Sequence, residues 1–188
     1  MNKKRRFKVI SVLALSCLLT NMAFAVSSSV GVNLELQPGE ITLNAPTSIS
    51  LPNTTVSRDE QEIILTAWDF AVEDLKSDDA WYYATISAWD ITWDGEAIPA
   101  ENVYMKLNGQ SVVTEAGTDT GKVVIPSSIL SQTYFPINNA VTIIDRNESV
   151  TGAIGKYKVT PELKVKIPAY QQPGSYSGTI TYTLIERG

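Results

Sequence analysis

Hydrophobic residues in this chain recur at every second position in short runs, and no helical period survives over a long window. That spacing belongs to strands with one buried and one wet face. It is most regular near the end. Leu163, Val165 and Ile167 face one way and Lys164 and Lys166 the other; after a Pro173-Gly174 turn signal, Ile180, Tyr182 and Leu184 share a face opposite Thr179, Thr181 and Thr183. The pattern predicts two strands joined as an antiparallel hairpin.

The same reading extends along the chain. Val30, Val32, Leu34 and Leu36 alternate up to Gln37-Pro38-Gly39 and predict a first strand closed by a turn. Ile41–Leu43 and Ile49–Leu51 are short candidates bounded by prolines, which suit turns and edges. Residues 62–70 predict a strand whose buried set near its end is Ile64, Thr66, Trp68 and Phe70, followed by a charged connection from Glu73 to Asp79. Between Trp81 and Trp93, Trp81, Tyr83, Thr85, Ser87, Trp89, Ile91 and Trp93 fall on one parity and Tyr82, Ala84, Ile86 and Ala88 on the other. Unbroken alternation would crowd the large rings on one face, so a bulge or bend is expected near Ser87–Asp90. Asp94-Gly95 marks a turn, and Asn108-Gly109 predicts a hairpin from Val103–Leu107 into Ser111–Thr114. Apolar runs follow at 122–126 and 140–144, with loop-like sequence over 145–155. Turn signals every ten residues or so, without a repeat, predict an all-β, antiparallel, immunoglobulin-like β-sandwich.

The N-terminus changes the setting. Lys3, Lys4, Arg5, Arg6 and Lys8 precede an apolar run from Val9 to Leu19, and Ala23-Phe24-Ala25 places small residues at a cleavage site. Residues 1–25 are expected to be a signal peptide and residues 26–188 a single β-sandwich domain, secreted to the cell surface or cell wall. The apolar run is shorter than the roughly 20 residues of a spanning helix. The only cysteine, Cys17, lies in the leader, so the remaining 163 residues must be held by packing and sheet hydrogen bonds. That part carries 10 basic and 20 acidic residues, unevenly spread: 26–105 holds 14 acids against Arg58 and Lys76, and 106–188 holds 6 acids against 8 bases. Nucleic acid and anionic membranes are therefore poor partners for the first half.

The chain has no histidine, which excludes Ser-His-Asp and Cys-His catalysis and His-ligated metals. Carboxylates remain. Asp69, Asp90, Asp94 and Glu96 lie among aromatic residues, the raw material of a two-acid glycosidase site, but solvated turn acids share that pattern. The cluster Asp90, Asp94, Gly95 and Glu96 lacks the oxygen-donor spacing of an EF-hand loop. No enzymatic activity and no cofactor or metal are expected. Aromatics are more informative: Trp68, Trp81, Tyr82, Tyr83, Trp89 and Trp93 fall within 26 positions, where exposed rings stack on carbohydrate or anchor an interface and buried ones fill a core.

The leader, the Trp81-Tyr82-Tyr83 strand and the closing Pro173–Leu184 run together resemble the WxL-domain surface proteins of Gram-positive bacteria. Trp81 stands at the Trp of the first motif with Tyr83 in place of its Leu; Leu184 stands at the Leu of the second with Tyr182 in place of its Trp. The resemblance implies a non-enzymatic all-β domain held at the cell wall, with peptidoglycan or another wall glycan as partner and other surface proteins as a second partner class. Trp81, Tyr83, Trp89, Trp93, Tyr182 and Leu184 are the candidate binding residues. The alternative is a structural subunit of a secreted coat or fimbria-like assembly, in which Val30–Leu36 or the terminal strand pairs between chains.

Overall fold

The computed structural model describes residues 34–37, 39–66, 68–76, 81–107, 112–117, 121, 123–130, 133–146 and 154–187. The expected signal peptide with Cys17, Val30 and Val32, and the Asn108-Gly109 turn lie outside the described residues. Leu34–Leu36, assigned to a unit of residues 1–36, form no strand; a second compact unit runs from Gln37 to Gly188.

The described part of that unit contains β1 (Ile41–Asn44), β2 (Gln61–Thr66), β3 (Phe70–Asp74), β4 (Trp81–Ala88), β5 (Ile91–Trp93), β6 (Glu96–Ile98) and β7 (Val103–Lys106). It continues with β8 (Val113–Gly117), β9 (Val123–Val124), β10 (Phe135–Pro136), β11 (Val141–Arg146), β12 (Gly155–Val159), β13 (Glu162–Ile167) and β14 (Ile180–Arg187). All pairings among them are antiparallel, and the helical elements are two short 3-10 turns, Ala100–Asn102 and Ser127–Ile129. No helix among the described residues is long and apolar enough to cross a membrane. The all-β antiparallel class expected from the alternation is the class observed.

One layer is a ribbon of two four-stranded sheets. β2 runs on into β3 and β12 into β13, and the two chains pair on both sides of a break: Gln61 opposite Ile167 through Thr66 opposite Glu162, then Phe70 opposite Val159 through Asp74 opposite Gly155. The break falls between Thr66 and Phe70 on one chain and at Thr160-Pro161 on the other. Pro161 has no N–H for the ladder, which suits an interruption of pairing there. β7 pairs with β13 and β8 with β12, so the edges are β1 and β8 in one sheet and β10 and β2 in the other. The other layer has the order β14-β4-β11-β9, with a register shift between Thr142 and Ile144.

Apolar side chains from the two layers form one core. Phe70, Val72, Met105, Tyr157, Leu163 and Val165 come from the ribbon, and Tyr82, Ala84, Ile86 and Ile144 from the second layer. Burying a large apolar side chain of this kind contributes about 1.5–3 kcal/mol. Phe70 and Tyr182 stack across the layers with centroids 5.4 Å apart. Asp74 of β3 and Arg146 of β11, both fully buried, form an ion pair at 2.5 Å that joins the layers.

Several expectations are corrected. Residues 62–70 are two strands rather than one. Across the break the buried parity changes, from Ile63 in β2 to Phe70 and Val72 in β3, so Ile64 is exposed although Trp68 and Phe70 are buried as expected. Glu73 and Asp74 belong to a strand, not a charged connection, and Asp145 and Arg146 belong to β11 rather than a loop. Ile49–Leu51 forms no strand. β7 and β8 do not pair with each other, because both run along the same partner chain, β13 and β12. β13 and β14 likewise form no hairpin: β13 lies between β2 and β7 in one layer and β14 beside β4 in the other. The connection over 168–179 crosses between layers, so the two alternating faces meet through the core instead of lying side by side.

Outward positions of the ribbon carry paired charges. Lys164 meets Glu62 at 3.1 Å, Lys166 meets Glu60 at 3.1 Å, and Glu115 bridges Lys158 at 2.7 Å and Lys156 at 2.9 Å. Hydrogen bonds from Lys158 and Lys156 hold the Glu115 carboxyl below its ordinary pKa. Lys164 also sits 4.2 Å from the centre of the Tyr134 ring, whose hydroxyl donates to Glu162. Basic residues of the second half thus meet acids from both halves, so the ribbon surface is not an uncompensated cationic patch.

Candidate functional site

The aromatic strand leaves its sheet where a bend is expected. β4 ends at Ala88, and after Trp89-Asp90 the chain enters the separate β5–β6 hairpin. Its turn residues have positive φ, 46° at Asp94 and 86° at Gly95, the geometry that favours Asp-Gly in a tight hairpin. Asp90 Oδ1 accepts a hydrogen bond from the Ala100 N–H at 2.8 Å, so this carboxylate pins the start of a 3-10 turn.

The hairpin docks on the crossing connection through a reciprocal backbone pair: Thr92 N–H donates to Ser177 O at 2.8 Å and Ser177 N–H to Thr92 O at 3.1 Å. Gly174 lies against the face of the Trp93 indole, where a Cβ would collide with the ring. Tyr176 is tilted 50° to Trp93 with centroids 6.1 Å apart. Its hydroxyl accepts from Gln171 Nε2 at 2.8 Å and donates to Gln172 O at 2.9 Å. The hydroxyl end of the phenol is thereby fixed.

Trp89 and Tyr176 contribute to a groove of about 540 Å³ between the Pro46–Leu51 segment and the start of β14. Its remaining lining includes Val103, Leu163 and Val165 of the ribbon and Ser177, Gly178, Thr179 and Ile180. Trp89 is 67% exposed and Trp93 36% exposed. This gives an aromatic rim beside hydroxyl and backbone polar groups, a composition suited to stacking and hydrogen bonding.

The six sequence-chosen positions do not form one site. Trp81 and Tyr83 lie near the far end of β4, and the Tyr83 ring is covered by the Arg187 guanidinium at 4.3 Å. Tyr182 and Leu184 point into the core edge. Trp81 pairs with Arg187 whereas Tyr182 pairs with Ile86. Five residues of strand, roughly 17 Å, therefore separate the two motif positions. Burial raises the Tyr182 phenol to about 12, offset in part by the nearby Trp68 indole, which does not meet hydrogen-bond geometry. Trp89 lines the groove with Tyr176, and Trp93, seated on Gly174, adjoins it through its contact with Tyr176. In the sequence Gly174 reads as turn and Tyr176 as the start of the closing strand; the clue to their role is an aromatic residue set within Pro173-Gly174-Ser175-Tyr176-Ser177-Gly178.

The candidate acids are dispersed. Asp69 accepts from Thr160 at 3.1 Å and pairs with Lys158 at 3.6 Å, while Asp94 and Glu96 flank the hairpin turn in solvent. Among the described residues no group of three His, Cys, Asp or Glu side chains is placed to hold a metal ion. Fold and site together define an antiparallel β-sandwich with an aromatic-rimmed groove. No protein-family model matches the chain, and no curated protein sequence matches it.

Proposed function

We propose that this chain is a non-enzymatic, exported cell-surface domain that binds cell-wall glycan, with peptidoglycan the expected polymer, through the rim formed by Trp89, Trp93 and Tyr176. One observation carries the reading: Trp89, 67% exposed, stands at a groove of about 540 Å³ beside a Trp93–Tyr176 pair held in place by the hairpin. An indole left in water at a groove mouth gains free energy when an apolar sugar face covers it, and neighbouring hydroxyls supply hydrogen bonds. The leader-like residues 1–25 and the resemblance to WxL domains support the surface location and wall partner. The reading moves the contact from Trp81 and Tyr182 to the rim. Co-sedimentation of the mature protein with isolated cell walls tests it: the protein is expected in the pellet, and complete retention in the supernatant contradicts it.

A second reading, a subunit of a coat or fimbria-like assembly, is favoured by a different observation. Among the described residues, the long edge of β14 that borders the groove has no hydrogen-bonded neighbouring strand.

A further inference from the structure

We propose that the groove beside β14 is a strand-acceptor site, occupied by Val30–Leu36 of a second copy of this chain. The proposal deepens the assembly reading and is independent of glycan binding at the rim.

The acceptor has three parts. Its floor includes Val103, Leu163 and Val165, inward residues of the ribbon that belong to the core yet line the groove. One wall is the start of β14. Trp89 N–H donates to Thr179 O at 3.0 Å, and Trp89 and Thr179 continue the register in which Ala88 faces Ile180. Antiparallel alternation then turns the odd-numbered backbone groups of β14 toward β4 and those of Ile180, Tyr182 and Leu184 toward the open side. The other wall is the Pro46–Leu51 segment; it forms no strand, and no backbone hydrogen bond joins it to β14. A strand in the groove meets an aliphatic floor and an unpaired backbone edge.

β14 is the longest sheet edge among the described strands. It has eight residues, against two in β9 and β10, four in β1, five in β8 and six in β2, and it carries neither proline nor a register shift. Long, flat edges are templates for another strand, and β-augmentation uses main-chain hydrogen bonds for affinity and alternate side-chain pockets for specificity.

The chain supplies a matching strand. Val30, Val32, Leu34 and Leu36 alternate with Gly31, Asn33 and Glu35, and no residue on the apolar parity is charged. The seven residues match the length of Tyr176–Tyr182, of which all but Thr181 line the groove. Leu34 and Leu36 are 80% and 82% exposed, so their burial in a second copy provides a driving force.

Sedimentation velocity on the full mature chain, without glycan, tests the association. The protein is expected to form multimers in a concentration-dependent way, and the double substitution Leu34→Asp/Leu36→Asp to weaken association by about tenfold or more with the melting temperature unchanged. Because the mature chain lacks cysteine, the contact can be located directly. Asn33→Cys or Glu35→Cys chains, mixed with differently tagged Thr179→Cys or Thr181→Cys chains, are expected to form interchain disulfides that an excess of peptide 26–37 suppresses. A mature chain that stays monomeric at millimolar concentration overturns the proposal. So do multimers that survive the Leu34/Leu36 substitution, or an absence of crosslinks in all four pairings. Because the measurement contains no glycan, its outcome is read separately from wall binding.

Discussion

Asp74 and Arg146 show how one residue pair fixes the relation of two layers. Both side chains are fully buried, one on β3 and one on β11, and Arg146 also lies 5.8 Å from the centre of the Tyr82 ring. Removing one partner strands a charge in the core, whereas replacing both with apolar side chains removes the desolvation cost. Asp74→Asn or Arg146→Met alone is therefore expected to cost about 3–5 kcal/mol, and Asp74→Leu/Arg146→Met to recover most of it. Urea unfolding of the three variants measures the cycle; equal losses in the singles and the double would contradict it. The role of Asp74 was not legible in sequence. It sits in Glu73-Asp74-Leu75-Lys76, which reads as solvated, and the parity that turns it inward is set five to seven residues earlier at the ribbon break.

At the scale of elements, period and turn chemistry carried much of the information and pairing much less. The alternation in β13 and β14 correctly names their inward faces, and the crowded rings of β4 correctly predict the departure at Trp89-Asp90. The expected partners failed wherever the chain crosses between layers or continues along one, as at 168–179 and between β7 and β8, because a turn signal indicates a reversal without saying which strand receives it. The β5–β6 hairpin makes a local test possible. Gly174→Ala places a methyl group against the Trp93 ring, so the indole or the turn must move. The substitution is expected to cost about 1–3 kcal/mol and shift Trp93 emission to the red. Unchanged emission, read in a variant retaining Trp93 as its sole tryptophan, would show that the ring is not seated on the glycine.

Across the whole molecule, the uneven charge along the sequence becomes a folded complement. Glu60, Glu62, Asp69 and Asp74 from the acidic half meet Lys166, Lys164, Lys158 and Arg146 from the other. Composition revealed the asymmetry, but strand neighbours had to be known before it could be read as internal pairing. The phenols define an alkaline limit. Burial, followed by the hydrogen bond to Glu162, raises Tyr134 to about 12, burial raises Tyr182 to about 12, and burial pushes Tyr82 up further. A folded pKa above the unfolded value near 10 gives stability that is complete below pH about 10 and lost as pH rises toward about 12. The melting temperature should fall across that window, and Tyr182→Phe should reduce the slope; a flat profile would contradict the assignment.

The candidate site was legible in part at this scale: Trp89 and Trp93 were found from aromatic density, while Tyr176 and Gly174 needed the crossing connection to bring them together. The most direct test of the glycan reading compares Trp89→Ala with Trp81→Ala in co-sedimentation with isolated cell walls, both confirmed folded by circular dichroism. Wall affinity is predicted to fall about tenfold or more for Trp89→Ala and to remain near wild type for Trp81→Ala. Undiminished binding by Trp89→Ala, with loss confined to Trp81→Ala, would contradict the placement of the site at the rim.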